Sequence, residues 1–308
     1  MKTDSILEKV LDSGNLAVTS ECGPPRGAAP DKVRKKAELL KGYVDVVNVT
    51  DNQTAMVRMS SLAASIILRQ MGLHPMLQMV TRDRNRLAMQ ADIIGAYSHD
   101  INTMLCLSGD HPQFGDHPMA DNVHDIDSIQ FVNMVHQMRE KGTFQGGAEI
   151  ENPPKMFVGA AANPFADPFE LRVARLAKKV AAGADFVQTQ CIYNLDKFEA
   201  WMKGVRERGL HKKCAILAGI TPMKSVGMAR YMKNKVPGMD VPQEMVDRMG
   251  GVPKDKQAAE GIQICVESIE RLKEVEGVAG FHIMAIEWEQ KVPEIVERAG
   301  LYPRPQVD

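Results

Sequence analysis

The feature that most constrains this chain is an alternation repeated eight times: a short apolar run, then a longer amphipathic stretch. The runs are LAVTSE (16–21), VDVVNVT (44–50), PMLQMVT (75–81), NTMLCLSG (102–109), KMFVGAAAN (155–163), FVQTQ (186–190), CAILAGI (214–220) and VAGFHIMAI (278–286). Helical spacing follows each of them, over 31–42, 55–71, 86–98, 127–141, 168–182, 195–208, 224–234 with a second helix at 257–275, and 292–300. The runs are apolar throughout, as expected of parallel strands buried on both faces. Parallel strands need helical crossovers, which either close a barrel or wind an open sheet. An open nucleotide-binding sheet carries a glycine-rich phosphate turn after its first strand. Here that turn reads ECGPPRG, with neither G-x-G-x-x-G nor a Walker sequence. Eight regular units therefore predict an α/β fold, a (β/α)8 TIM barrel forming a single domain over 1–308. An extra N-terminal helix carries Ile6, Leu7, Val10 and Leu11, with Thr3 or Asp4 as its cap. The segment 236–256 reads as an irregular excursion within the seventh unit.

Composition narrows the function classes. A formal net charge of −1 lacks the basic footprint of a nucleic-acid partner. No segment approaches the roughly 20 apolar residues of a membrane span, and the charged N-terminal segment lacks a signal peptide's apolar run. The chain reads as soluble and cytoplasmic. Five scattered cysteines form no C-x-x-C pair, which argues against a zinc ribbon or an iron–sulfur cluster. Cys22 and Cys191 lie at strand ends, where they are either inert thiols or close to chemistry. Twenty methionines suit adaptable packing or an adaptable partner surface.

In such barrels chemistry gathers at the C-terminal ends of the strands. Those ends carry Glu21, Thr50 and Asp51, Gln78, Ser108-Gly109-Asp110, Asn163, Thr189-Gln190 and Glu287. A carboxyl such as Glu21 among Cys, Gly and Pro suits a general acid, or is a rim carboxylate paired with a cation. Asp110 is a second carboxylate candidate or a turn residue. Gly109 allows close approach of a ligand or only shapes the turn. The Gln190 amide suits the edge of a flat heterocycle or is bonded internally. Lys179 reaches a phosphate or is an exposed helix lysine. His99, His111, His117 and His124 gather with several aspartates in a loop-rich span, but without metal-ligand spacing, so no metal is expected. His282 reads as a barrel-interior histidine.

Taken in order, several blocks resemble the methylenetetrahydrofolate reductase family over nearly the whole chain. SECGPP resembles the family's F-E-F-F-P-P turn, VNVTDNQ its V-S-V-T-Y-G-A-N stretch, and LCLSGDHP its L-R-G-D-x-P loop. KKVAAGADFVQTQCIYN is similar to K-x-x-A-G-A-x-x-x-x-T-Q-x-x-F-D, the most specific block. LAGITPM, VPQEMVDRM and GFHIMAI follow in family order. The resemblance implies a flavin-bearing barrel that reduces 5,10-methylenetetrahydrofolate to 5-methyltetrahydrofolate. Glu21 would be the acid that helps open the substrate ring. Asp110 would stabilise the resulting iminium cation beside the flavin, and Gln190 would bond the pterin. Thr50, Gln78, Ser108, Gly109, Asp110, Asn163 and Lys179 would contact the flavin, FAD by family or FMN.

The chain departs from the family pattern at Ser108 (usually Arg), at Gln78 (usually His), at Ile286-Glu287-Trp288, and at Val226, near which bacterial members carry a stacking Phe. These departures fall on electron-donor and flavin-phosphate contacts. They point away from NAD(P)H and toward an electron-donating partner subunit, in an oligomer or hetero-complex. Two alternatives of other kinds are a flavin-free folate methyltransferase barrel and a scaffolding subunit of a redox complex.

Overall fold

The computed structural model describes residues 1–307. Eight parallel strands close into a barrel in sequence order: β1 (Ala17–Cys22), β2 (Val46–Val49), β3 (Pro75–Val80), β4 (Thr103–Leu107), β5 (Phe157–Ala162), β6 (Phe186–Cys191), β7 (Ala215–Ile220) and β8 (Val278–Ile283). β8 pairs with β1 through Ala17↔Gly280 and Thr19↔His282, which seals the ring. The helices are α1 (Ile6–Asp12), α2 (Pro30–Leu40), α3 (Ser61–Gln70), α4 (Arg86–Tyr97), α5 (Ser128–Glu140), α6 (Glu170–Ala181), α7 (Leu195–Glu207), α8 (Val226–Lys235), α9 (Gln243–Gly250), α10 (Gln257–Lys273) and α11 (Val292–Arg298). None of them is long and apolar enough to cross a membrane.

Strand alternation explains the layering. On β1, Val18 and Cys22 join the core between strands and helices, while Ala17 joins an inner cluster with Val46, Met76, Leu105, Phe157, Phe186 and Leu217. Leu7 and Val10 of α1 belong to that inner cluster and are fully buried. The N-terminal helix therefore plugs the bottom of the barrel, and each such side chain contributes about 1.5–3 kcal/mol by leaving water. Ser5 caps α1, accepting from the Leu7 amide at 3.2 Å, in place of Thr3 or Asp4. Thr3 instead donates to Glu8. Phe157 and Phe186 stack with ring centroids 5.3 Å apart. Gly159 makes room for them, since a Cβ there would lie 2.2 Å from the Phe186 ring.

Above this plug lies a polar tier of Thr19, Asn48, Gln188 and His282, all buried. Above that the barrel opens into a cavity. Buried polar groups must be bonded or they destabilise the core. Asn48 and Gln188 satisfy one another through paired amide bonds of 2.7 and 3.2 Å.

The structure departs from sequence expectation in three further places. The expected helix from residue 55 begins only at Ser61, where Ser60 caps it by accepting from the Ala63 amide at 3.2 Å. Asn52, Thr54 and Ala55 before it hold left-handed φ of 41°, 58° and 54°, which no helix continues through. The excursion after α8 contains α9, which buries Val246 and Met249 in a methionine-rich cluster. Its flanking prolines and glycines hid eight helical residues. β8 ends at Ile283, because the chain turns at Ala285–Trp288 with Glu287 at φ 48°.

Candidate functional site

The cavity at the C-terminal end of the barrel has a volume of about 380 Å³, within the range of small-molecule sites. Six of the candidates line it together: Glu21, Gln78, Asn163, Lys179, Thr189 and Gln190. They arrive from β1, β3, the end of β5, α6 and β6, converging as barrel topology requires. Gln190 lies on β6, where its Oε1 accepts from the Cys191 amide at 3.1 Å. Among the described residues its Nε2 has no protein partner and remains free to donate to a ligand. Asn163 is also structural: its Oδ1 accepts from the Phe165 and Ala166 amides, and its Nδ2 donates to the Gly238 carbonyl at 3.3 Å. It thereby ties the excursion to the cavity rim.

Thr50 is buried just past β2, and its hydroxyl has no hydrogen-bond partner. A buried hydroxyl left unbonded costs about 1–3 kcal/mol, and Thr50 does not line the cavity. Ser108, Gly109 and Asp110 lie elsewhere, exposed on the loop after β4. The Asp110 carboxylate accepts from the Thr54 amide at 3.1 Å, and its backbone carbonyl accepts from Arg82 at 2.8 Å. Asp110 is thus held at the rim, three residues beyond Leu107 of the cavity wall. Gly109 holds φ 87°, and a Cβ there would come within 3.0 Å of Val80, so this turn admits only glycine without strain.

One wall is cationic. Arg172, Arg175 and Lys179 share a face of α6 at spacings of three and four residues and line the cavity together. None of the three forms a salt bridge among the described residues. Arg172 donates to the carbonyls of Pro168 and Asp167 at 3.2 and 2.9 Å, and Lys179 donates to the Ala161 carbonyl. Burial, reinforced by the neighbouring Arg175 charge, pushes the Lys179 ammonium down to about 8. Three cations without carboxylate partners, one of them held against its ordinary tendency, favour an anionic ligand. The helical spacing of 172, 175 and 179 is visible in the sequence, yet only Lys179 stands out there, through its motif.

His282 is the second residue that sequence reading left without a role. It is the interior histidine expected, but its Nε2 lies 3.7 Å from Glu21 Oε1. The alternation of Gly280 and His282 on β8, continued by Met284 just past its end, carries the signal, since alternate residues share a face.

The remaining candidates fall outside the cavity. Val226 packs with the methionine-rich cluster at the start of α8. The Lys224 ammonium lies 5.7 Å from the Trp288 ring centroid and donates to the carbonyls of Ile286 and Glu287. The end of β8 is therefore clamped by a cation. All five cysteines are free and buried. Burial pushes the Cys22 and Cys191 thiols up to about 12, so both are poor nucleophiles at neutral pH. Among the described residues no three His, Cys, Asp or Glu side chains gather to hold a metal.

Comparison with known proteins meets the same barrel. The family model described as methylenetetrahydrofolate reductase matches residues 6–300. A Caenorhabditis elegans protein named probable methylenetetrahydrofolate reductase (NADPH) is 23% identical, the match covering 96% of this chain and 44% of the worm protein. Methylenetetrahydrofolate reductase 2 of Schizosaccharomyces pombe is 24% identical, the match covering 98% of this chain and 48% of the yeast protein. The chain thus spans under half the length of these curated relatives. Among solved structures, an uncharacterised Clostridium thermocellum protein described as binding two copies of 5-methyl-5,6,7,8-tetrahydrofolic acid superposes with a TM-score of 0.62 at 12% identity. That match covers 96% of this chain and 98% of the other, and it bears on the fold.

Proposed function

The chain belongs to the methylenetetrahydrofolate reductase family, and from that premise we propose that it reduces 5,10-methylenetetrahydrofolate to 5-methyltetrahydrofolate with a bound flavin. The observation that carries this reading is the double character of one cavity: Glu21, Gln78 and Gln190 are joined there by the cationic wall of Arg172, Arg175 and Lys179. Folate and flavin are both flat heterocycles with an anionic end, and such a cavity offers donors for one part and positive charge for the other.

The residues present fit a flavin. Lys179, with Arg172 and Arg175, would hold the phosphate that both FAD and FMN carry. When bound, the flavin supplies the hydride, which no side chain can carry.

The protein's own residues do the rest. Glu21 holds a proton where the substrate nitrogen is to receive it, so the five-membered ring opens to a cationic iminium. Asp110, fixed at the rim by Thr54 and Arg82, offers negative charge to that cation. Gln190 donates from Nε2 to the pterin edge. Leu105, Leu107 and Met284 of the cavity wall reduce water around the charges, which strengthens them. Electrons reach the flavin from a partner protein, in a cytoplasmic setting with which five free cysteines agree.

The test is anaerobic reconstitution with FAD or FMN, photoreduction, and mixing with 5,10-methylenetetrahydrofolate. Reoxidation of the flavin with formation of 5-methyltetrahydrofolate is expected. A protein that retains no flavin after reconstitution overturns the reading and leaves the flavin-free methyltransferase barrel in its place.

A further inference from the structure

The polar tier beneath the cavity forms a connected line that ends at the proposed acid. His282 is 3% exposed. Its Nδ1 lies 2.8 Å from Thr19 Oγ1. Thr19 Oγ1 in turn accepts from Gln188 Nε2 at 3.0 Å, and Gln188 is locked to Asn48 by two amide bonds. Four strands, β1, β2, β6 and β8, supply these groups. The ring cannot turn about its χ2 without giving up the Thr19 bond, and that bond leaves Nε2 aimed at Glu21, 3.7 Å away. A histidine serving the core alone would have both nitrogens satisfied by the barrel. Here the nearest charged group to Nε2 is a carboxyl of the cavity, which His282 itself also lines.

We propose that His282 is a positioning residue for Glu21, clamped by Thr19 so that imidazole and carboxyl share one proton and the carboxyl is returned to its acid form after each turnover. This rests on Glu21 as the proton donor of the reaction proposed above. The balance is direct. The Glu21 O–H bond breaks as its proton passes to the substrate nitrogen, leaving a carboxylate. Neutral His282 then takes a proton at Nε2 from hydronium in the cavity; that Nε2–H bond breaks as a new O–H forms on Glu21, and neutral imidazole remains. The 3.7 Å separation exceeds a hydrogen bond, and catalytic contacts of this kind are commonly long without ligand and tighten when it binds.

Two buried thiols and three cations neighbour this pair. On β6, Cys191 donates to or accepts from Thr221 at 2.8 Å, and burial holds its thiol up at about 12, so it stays neutral. On the outer face of β1, Cys22 is likewise pushed up to about 12 by burial, with Lys36, Glu287 and Glu289 as its charged neighbours. From α6, Arg172, Arg175 and Lys179 line the same cavity.

The test uses the flavin-loaded chain with 15N-labelled histidine, followed by NMR across pH. In E21Q the titration midpoint of His282 is expected to move by at least tenfold in proton concentration, with the other histidines unmoved. Superimposable His282 titrations in wild type and E21Q overturn the proposal, whatever the substrate proves to be. In turnover, H282Q should lower kcat by about 10–100-fold, the range for removing an outer-shell partner. Flavin absorbance and KM should stay near wild type, and the alkaline limb of the pH profile should move to lower pH. Should H282Q fail to fold, T19V keeps the imidazole but removes its clamp. The same change in kcat, smaller in size, is then expected, together with altered Nδ1 and Nε2 shifts. Wild-type kcat and pH profile in T19V overturn the clamp. A wild-type protein that never reduces methylene-folate would sink the reading of Glu21 as its acid, while the NMR titration would still decide whether the two side chains share a proton.

Discussion

Glu21 on β1 and Lys179 on α6 line the same cavity, so a ligand long enough to reach both is gripped at one end by charge and presented at the other to an acid. Binding energy from an unreactive anionic end can thereby hold the reacting end in place. The same arrangement separates the two residues experimentally, because one should govern chemistry and the other retention of ligand.

Glu21→Gln should keep flavin bound and lose folate reduction. Removing a positioned proton donor lowers turnover by about 10²–10⁴-fold. Oxidation of the reduced flavin by an artificial acceptor needs no ring opening and should proceed at the wild-type rate. Stopped-flow measurement of the two oxidative half-reactions checks this, and equal losses in both would discard Glu21 as the acid.

Lys179 gives a pH-dependent prediction. Its folded value near 8 lies below the ordinary 10.5, chiefly through burial and then through Arg175. Below 8 both folded and unfolded chains hold the proton, and the desolvated ammonium burdens the fold. Between about 8 and 10.5 the unfolded chain binds more protons, so stability of the ligand-free protein should rise with pH across that window. A bound phosphate reverses the cause and should draw a proton onto Lys179. Calorimetric titration with FMN just above pH 8, in two buffers of different ionisation enthalpy, should therefore show proton uptake. Lys179→Met should abolish that uptake and stabilise the ligand-free chain at neutral pH. It should also weaken flavin binding by about tenfold or more, as loss of a charge-assisted bond implies. Unchanged affinity would place the phosphate elsewhere.

The barrel was legible because strands buried on both faces leave continuous apolar runs, and eight of these recur at even spacing. The cavity-lining residues legible in the sequence were those where polarity interrupts such a run at its end, as at Glu21 and Gln190. Arg172 and Arg175 escaped notice because a surface helix carries arginines as a matter of course, and only the cavity beside α6 distinguishes them. His282 escaped because its meaning depends on a neighbour 261 positions earlier, brought alongside by closure of β8 on β1. The helix α9 was hidden by the prolines and glycines that bracket it. The motif KKVAAGAD joins a cavity lysine to a residue of purely structural use.

That residue is Asp185. Its buried carboxylate accepts from Arg139 at 2.5 and 3.2 Å, from the Val158 amide at 2.9 Å and from Lys2 at 2.8 Å, tying α5, β5 and the N-terminus to the start of β6. Asp185→Asn should leave the buried Arg139 guanidinium with only the half-exposed Glu140 as carboxylate partner and cost up to about 3–5 kcal/mol. Urea denaturation of the ligand-free protein measures this. Turnover of the folded fraction should be unchanged, and a loss under 1 kcal/mol by the same scale would show the pair to be replaceable.

Asp110→Asn should slow the folate half-reaction and raise the flavin midpoint potential, since an anion removed from beside the ring favours the more negative reduced form. Its carboxylate also accepts from the Thr54 amide, and asparagine can keep that bond through its carbonyl, so the rim loop should hold its shape. Spectroelectrochemical titration reads the potential. A lower midpoint in the variant would contradict a position near the flavin.

The electron donor gives the last prediction: NADH and NADPH alone should reduce the bound flavin poorly, and a partner protein should do so quickly. The position where bacterial relatives stack an aromatic ring is here Val226, whose side chain is turned into the methionine-rich packing of α8 and α9 and lines no part of the cavity. The end of β8 has changed as well, with Trp288 held under the Lys224 ammonium and the carbonyls of Ile286 and Glu287 taken up by the same lysine. An aromatic stack contributes about 0.5–1.5 kcal/mol beyond area burial, so its loss alone would weaken nicotinamide binding by roughly tenfold at most. Rearrangement of the strand-eight end adds to this, because it fixes a bulky ring and a cation where a second, transient ligand would have to enter. Meanwhile Val57, Phe114, Met119 and Val123 stand exposed on the loops after β2 and β4, an apolar rim of the kind a docking protein covers. Stopped-flow mixing of the flavin-loaded chain with either nucleotide decides the matter. Rapid bleaching at physiological nucleotide concentrations would make this a self-sufficient reductase, and the rim would then need another explanation.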